Sequence, residues 1–216
     1  MAFGIYQLYQ LIQPGFRKRR IQWFIQLFHP DEHTKILDVG GFVTDWDDVV
    51  PIASPLTILN LYHPPRSNVD GRFTLEVGDA RRLPYPDRSF AIAYSNSVIE
   101  HLATLADQQR FAAEIRRVGG KVFVQTPNRW FFIESHFLTL FVHYLPWRIS
   151  RRLIRYCSFR GLFRSGDNVD LQKLAAELRL LDYREMQRLF PDCEIHREKW
   201  LGLTKSLIAV RREAPE

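Results

Sequence analysis

Val77-Gly78-Asp79-Ala80-Arg81-Arg82-Leu83-Pro84-Tyr85-Pro86-Asp87-Arg88-Ser89-Phe90, running on through Ala91-Ile92-Ala93-Tyr94 to Ser95-Asn96-Ser97-Val98-Ile99-Glu100-His101-Leu102, is the stretch on which the fold turns. An apolar run closes in Gly-Asp, a proline-punctuated turn follows, and Phe90 to Tyr94 then reads as a nearly continuous buried strand. A strand apolar on both faces belongs to a parallel sheet with helices packed on either side. A carboxylate closes one strand and a small polar run closes the next. Strand carboxyl ends are where open α/β sheets hold ligands.

Outward from that block the same alternation continues. Lys35 to Gly40, Leu56 to Leu61, Arg72 to Val77 and Lys121 to Gln125 read as strands, and Phe111, Ile115 and Val118 mark an amphipathic helix before the last of them. The pattern is that of an α/β, doubly wound, mostly parallel sheet. Tyr183 to Phe190 reads as a helix, and Cys193 to Trp200 and Ser206 to Arg211 as two strands. Only Leu201-Gly202-Leu203 is strongly turn-like between those strands, which leaves no room for a helix and predicts an antiparallel hairpin at the sheet edge. Residues 1–216 form a single domain in this reading, with N-terminal helices in 1–32 and a helical insertion or lid over 127–181. The N-terminal helices are expected to break at Pro14-Gly15. Arg17-Lys18-Arg19-Arg20 would then open the second helix, where its dipole disfavours cations, so that helix starts later or an anionic group lies nearby. In the insertion, Phe137, Leu138, Phe141, Tyr144 and Leu145 share a helical face, and Arg148, Arg151, Arg152 and Arg155 follow. Aromatics flanked by arginines suit an interface, whether an apolar ligand pocket or a membrane-facing lid; a packed core helix is the plain alternative. The crossover from Thr44 to Val50 has space for a short helix only, and the next contains Pro64-Pro65 and no helix.

Two further groups carry chemistry. Asp38-Val39-Gly40-Gly41 ends the first strand; glycine lets the backbone approach a ligand closely, and the neighbouring acid can hold a ligand ammonium. Asn60 ends the second strand at the spacing where nucleotide-binding sheets meet ribose hydroxyls, although an amide accepts a hydroxyl proton more weakly than a carboxylate. With these in place, the block from Val77 to Leu102 closely resembles the class I S-adenosylmethionine-dependent methyltransferases, within the small-molecule methyltransferase-domain family. The resemblance covers roughly residues 33–127. It implies a Rossmann-like sheet ending in an antiparallel hairpin, with S-adenosylmethionine as cofactor. It further implies that Asp79 accepts a hydrogen bond from the adenine amino group beside the backbone of Ala80, and that Ser95 and Asn96 border the methionine half. Phe42 and Thr44 stand where the family usually carries further glycines. His101 is a candidate general base because imidazole titrates near neutrality; a packing role in its helix is the competing reading.

The 216 residues are 46% hydrophobic and 25% charged, which suits one globular domain and argues against disorder. A formal charge of +6 permits an anionic partner. No Asn-Pro-Pro-Tyr or Pro-Cys motif is present, which argues against nucleic acid; the expected acceptor is a small or lipid-like molecule, with peripheral membrane contact allowed by the basic and aromatic composition. Oligomeric state is not legible. Cys157 and Cys193 are read as a reduced pair, no signal peptide or bilayer-spanning run is recognised, and a cytoplasmic, membrane-associable protein is expected. Glu134, His136 and His143 match no metal-ligand spacing, so no metal is expected. The competing functions are a catalytically inactive methyltransferase-fold binding protein and an RNA or protein methyltransferase. A dehydrogenase is disfavoured by the missing pyrophosphate fingerprint.

Overall fold

The computed structural model describes residues 2–47, 54–62, 73–134, 139–140, 144 and 178–213. Its centre is a seven-stranded sheet formed by β1 (Ile36–Val39), β2 (Leu56–Asn60), β3 (Phe73–Val77), β4 (Phe90–Asn96), β5 (Gly119–Pro127), β8 (Glu194–Trp200) and β9 (Leu203–Arg211). The order across the sheet is β3-β2-β1-β4-β5-β9-β8. The first five strands are parallel, and β9 pairs antiparallel with both β5 and β8. The edge hairpin expected from the tail is therefore present, inserted so that its second strand meets β5. Two reversals of direction bring β8 back parallel to β5, and Glu198 of β8 and Pro127 of β5 both pair with Ser206. The carboxyl ends of β1, β4, β5 and β8 consequently share one edge of the sheet. The chain reverses its winding between β1 and β4, the position at which such sheets open a crevice.

Both faces are covered, as the doubly apolar strands require. On one face Leu37, Val39, Leu59, Ala93, Val122 and Val124 pack against Phe111, Ile115 and Val118 of α3 (Leu105–Val118) and against Met186 and Leu189 of the short α4 (Tyr183–Leu189). Thr104 caps α3 by accepting from the backbone N–H of Asp107, and Asp182 and Glu185 form a reciprocal capping box at α4. On the other face Ile36, Ile58, Ile92, Tyr94, Phe123 and Ile208 meet Ile21, Phe24 and Phe28 of α1 (Ala2–Phe28).

Helix α1 spans Ala2–Phe28 without interruption, so the break expected at Pro14-Gly15 is absent. Proline costs a helix one backbone hydrogen bond and some crowding, a penalty the remaining turns can absorb. The four consecutive cations then lie in the helix interior, and two of them have anionic neighbours. Arg17 reaches Asp45 at 2.5 Å, and Arg20 pairs with Glu198 at 2.8 Å. Among its described residues the first crossover holds the short α2 (Val43–Asp47), in keeping with its length. The second lies outside the described residues.

The insertion departs from a helical reading where it is described. A two-stranded antiparallel ribbon, β6 (Ile133–Glu134) with β7 (Thr139–Leu140), occupies part of the segment given to an aromatic helical face. Phe137, Leu138, Phe141, Leu145 and the following arginines lie outside the described residues, as does Cys157. Tyr144 is described, and its hydroxyl donates to the Trp130 carbonyl at 2.7 Å. Among the described residues no helix is long and apolar enough to cross a membrane.

Candidate functional site

The loop after β1 is built around a buried carboxylate. Asp38 is 1% exposed, and its Oδ2 accepts the indole N–H of Trp46 at 2.7 Å. Its Oδ1 is buried with no hydrogen-bond partner among the described residues. Burial pushes the Asp38 carboxyl up to about 7, against the opposing hydrogen bond from Trp46. Gly41 lies directly over this carboxylate: a Cβ built there would stand 1.8 Å from Oδ2. Gly40 adopts φ +81°, a left-handed conformation natural to glycine, and a Cβ there would meet Val98 at 2.4 Å. Both glycines are thus dictated by close approach of backbone to its neighbours. The chain passes from a buried strand into a tight loop packed over Asp38 and Trp46. The carboxylate acts on the loop and lies beneath it.

Asn60 closes β2, and its Nδ2 donates to the Gly41 carbonyl at 2.8 Å. The glycine loop is therefore held from two sides, by Asp38 and by Asn60. Gly40 also donates its backbone N–H to the Leu59 carbonyl at 2.8 Å. Phe42, at 51% exposure, and Leu61 and Tyr62, more open still, flank this mouth with apolar surface.

Asp79 lies in the turn after β3 and is grasped by Arg81, whose Nε and Nη2 donate to both carboxylate oxygens at 2.6–3.0 Å. The same guanidinium leans toward Asp107 in the first turn of α3 at 3.3 Å. Hydrogen bonding from Arg81 holds the Asp79 carboxyl below the usual aspartate range. A donor-bearing ligand edge at Asp79 must share or displace this fork. Ala80 sits in the same turn and packs on the core through its partly buried side chain.

At the end of β4 the polar run divides its work. Ser95 is fully buried and donates its hydroxyl to the Val39 carbonyl at 2.8 Å, locking β4 to β1. Asn96 turns the other way, and its Oδ1 accepts from Arg20 at 2.6 Å. Ser97 has φ +59°, a conformation uncommon for a residue with a Cβ, and is tied to Gln125 through both its N–H and its hydroxyl. Backbone of this kind at a strand's carboxyl end is held in place by its surroundings. The Glu100-His101 pair falls on a 3-10 turn, Ile99–His101, with Glu100 buried and bonded to the Thr126 hydroxyl at 2.9 Å and His101 exposed.

Gly40, Gly41, Asn60, Asp79, Ala80, Ser95 and Asn96 are thus all placed along the same sheet edge, with Asp38 beneath it. Four partners were not singled out from the sequence: Trp46, Arg81, Arg20 and Ser97. Arg20 had a signal, since a cation interior to an apolar helix face demands a partner; the others had none. The site residues present fit an adenosyl ligand bearing an amino-acid tail. They supply a loop pared of side chains, an amide and a carboxylate on adjacent strand ends, and apolar surface at the mouth.

Comparison with known proteins bears on the fold and the family signature. A family model described as "Methyltransferase domain" matches residues 58–124. The 27-O-demethylrifamycin SV methyltransferase of Amycolatopsis mediterranei is 35% identical over 57 residues, covering 26% of this chain and 21% of that protein. The chain thus matches only about a fifth of that curated relative's length. The Haemonchus contortus phosphoethanolamine N-methyltransferase 2, solved with S-adenosyl-L-methionine, superposes with a TM-score of 0.54 at 14% identity, over 83% of this chain and 38% of that one. A Rhodobacter sphaeroides protein assigned as a Zn-dependent alcohol dehydrogenase superposes with a TM-score of 0.57 at 10% identity, over 87% and 88% of the two chains. Likenesses at such identities speak for the fold and leave chemistry to the site.

Proposed function

From a chain that carries the class I S-adenosylmethionine-dependent methyltransferase fold and that family's domain signature, we propose direct transfer of a methyl group from S-adenosylmethionine to a small or amphipathic acceptor. The observation that carries the proposal is the Gly40-Gly41 loop at the β1/β4 switch point, packed so closely, Gly40 against Val98 and Gly41 against Asp38, that neither glycine tolerates a Cβ. Such a loop lets a ligand's tail lie against backbone amides.

The roles of the residues follow from their places. Gly40 and Gly41 receive the amino-acid tail, and Asp38 and Trp46 set the height of the loop. Asn60 fixes the Gly41 carbonyl and presents the rest of its amide toward a ribose. Asp79 meets the adenine amino group, a task for an acceptor because an exocyclic amine offers donors only. Ser95 and Asn96 shape the floor at the end of β4. When bound, the cofactor supplies a sulfonium-activated methyl group, a strong electrophile. The protein's share is then chiefly alignment of the acceptor and exclusion of water. His101, exposed on the turn after β4, is the candidate to take a proton where the acceptor is a hydroxyl or a protonated amine.

Calorimetric titration with S-adenosylhomocysteine and NADH tests this. Binding of the first and not the second is expected; binding of neither would support a second reading, a methyltransferase fold that no longer takes cofactor. That reading draws on the Arg81 fork that already fills both oxygens of Asp79.

A further inference from the structure

A cleft of about 370 Å³ lies between α1 and the edge strand β8, lined by Phe16, Arg19, Arg20, Trp23, His196 and Lys199 among others. It adjoins the proposed cofactor edge. The hairpin geometry places Glu198 level with the end of β5, and Arg20 in the cleft wall donates to Asn96 at the end of β4 at 2.6 Å.

The charge of this cleft is unbalanced. Arg20, 6% exposed, grips Glu198 with two donors at 2.8 and 3.0 Å, and Lys205 stands 3.8 Å from the same carboxylate. One acid thus already serves two buried cations. Arg19 and Lys199 are exposed and form no ion pair among the described residues, and Arg197 rests on the Tyr183 ring at 4.4 Å. The remaining wall is apolar or aromatic: Phe16, 7% exposed and carrying the Lys205 ammonium 4.5 Å from its centroid, Trp23 set edge-on to His196 at 5.1 Å, and Ile208. Clefts lined by one sign of charge against low-dielectric walls concentrate ligands of the opposite sign.

We infer that this cleft seats the acceptor, which is an anionic molecule on an apolar body, its phosphate or carboxylate between Arg19 and Lys199 and its apolar part along Trp23 and Phe16. The inference rests on the methyltransferase reading for the word acceptor and on the cleft alone for the ligand's chemistry. A lipid headgroup and a soluble amphiphilic metabolite share that chemistry.

The test uses the full chain. Octyl phosphate below its micellar concentration, octanol, inorganic phosphate, and vesicles of phosphatidylglycerol or phosphatidylcholine are titrated into wild type and into R19E/K199E, both positions being exposed. Octyl phosphate is expected to bind more tightly than octanol or phosphate, and to weaken by at least about tenfold in the double variant, in a salt-dependent way. Comparable binding of octyl phosphate and phosphatidylglycerol vesicles would assign a soluble source, and a strong preference for the vesicles a membrane source; either supports the chemistry. Equal affinity for octyl phosphate and octanol, or an unchanged affinity in R19E/K199E, would overturn it. S-adenosylhomocysteine titration of the same two proteins separates the two claims. Both should bind it equally; failure of wild type to bind refutes the cofactor reading, and loss confined to the double variant refutes the assignment of these residues to the acceptor cleft.

Discussion

Replacing Asp38 by asparagine should make the protein's stability less dependent on pH. The carboxyl is fully buried, accepts one hydrogen bond from Trp46, and is pushed from an ordinary 3.8 up to about 7. The groups that face it are Trp46, Asp45, whose charge raises it further, Arg17, whose charge opposes that, and the buried Tyr94 ring. For an acid raised on folding, the native state holds its proton over a range where the unfolded chain has released it. Stability therefore falls as pH rises from about 4 to about 7 and is level above that. The slope is about 1.4 kcal/mol per pH unit, and across the window the loss amounts to about 4 kcal/mol. Asparagine keeps an acceptor for the indole N–H and cannot ionise; its extra amide donors add a cost that does not vary with pH. Urea denaturation of wild type and D38N at half-unit intervals from pH 4.5 to 8 reads the difference, and subtraction removes the titration of every other group. Parallel profiles for the two proteins would refute the burial of an ionisable carboxylate under the glycine loop.

Other perturbations address the loop and the adenine turn. Gly41→Ala forces a methyl into the Asp38 carboxylate and should cost about 3 kcal/mol of stability, measured by thermal or urea unfolding; a neutral effect would mean that the loop stands off. Asn60→Asp removes the donor to the Gly41 carbonyl and sets a charge against that oxygen, so S-adenosylhomocysteine affinity should fall by calorimetry, whereas a carboxylate serving only the ribose would raise it. Asp79→Ala should weaken the same ligand by about 1–3 kcal/mol, and Arg81→Met should strengthen it by up to about 1 kcal/mol by freeing an exposed carboxylate; weaker binding in the Arg81 variant would show that the fork positions Asp79 for the ligand. Arg20→Met leaves Glu198 with Lys205 alone and should lower stability by about 3 kcal/mol, detectable as a reduced urea midpoint.

The sheet was legible because its signals are local and repeated. Ile36, Leu37 and Val39 of β1 and Phe90 to Tyr94 of β4 put apolar side chains on both faces, a pattern that a strand covered by helices demands, and the hairpin followed from a connection too short for a crossover. Pro14 misled for the opposite reason. Its local preference for ending a helix is outweighed where flanking turns continue on both sides, and no propensity argument sees that competition. The ribbon at Ile133–Glu134 and Thr139–Leu140 was hidden likewise, since two-residue strands have no period to read.

The candidate site divides along a different line. Gly40, Gly41 and Asn60 could be placed at strand ends from the sequence, because chain geometry alone puts them there. What each side chain touches was another matter. Asp38 was expected to face a ligand and lies under the loop, because Trp46, one turn into α2, brings an indole N–H over it. Asn96 was expected to border the cofactor, and its amide oxygen is taken by a guanidinium from a helix 76 positions earlier in the chain. That long-range bond has a consequence for the chemistry. Arg20 couples the floor of the proposed cofactor site to Glu198 and hence to the wall of the basic cleft, so an anion entering the cleft competes electrostatically for the cation that positions Asn96.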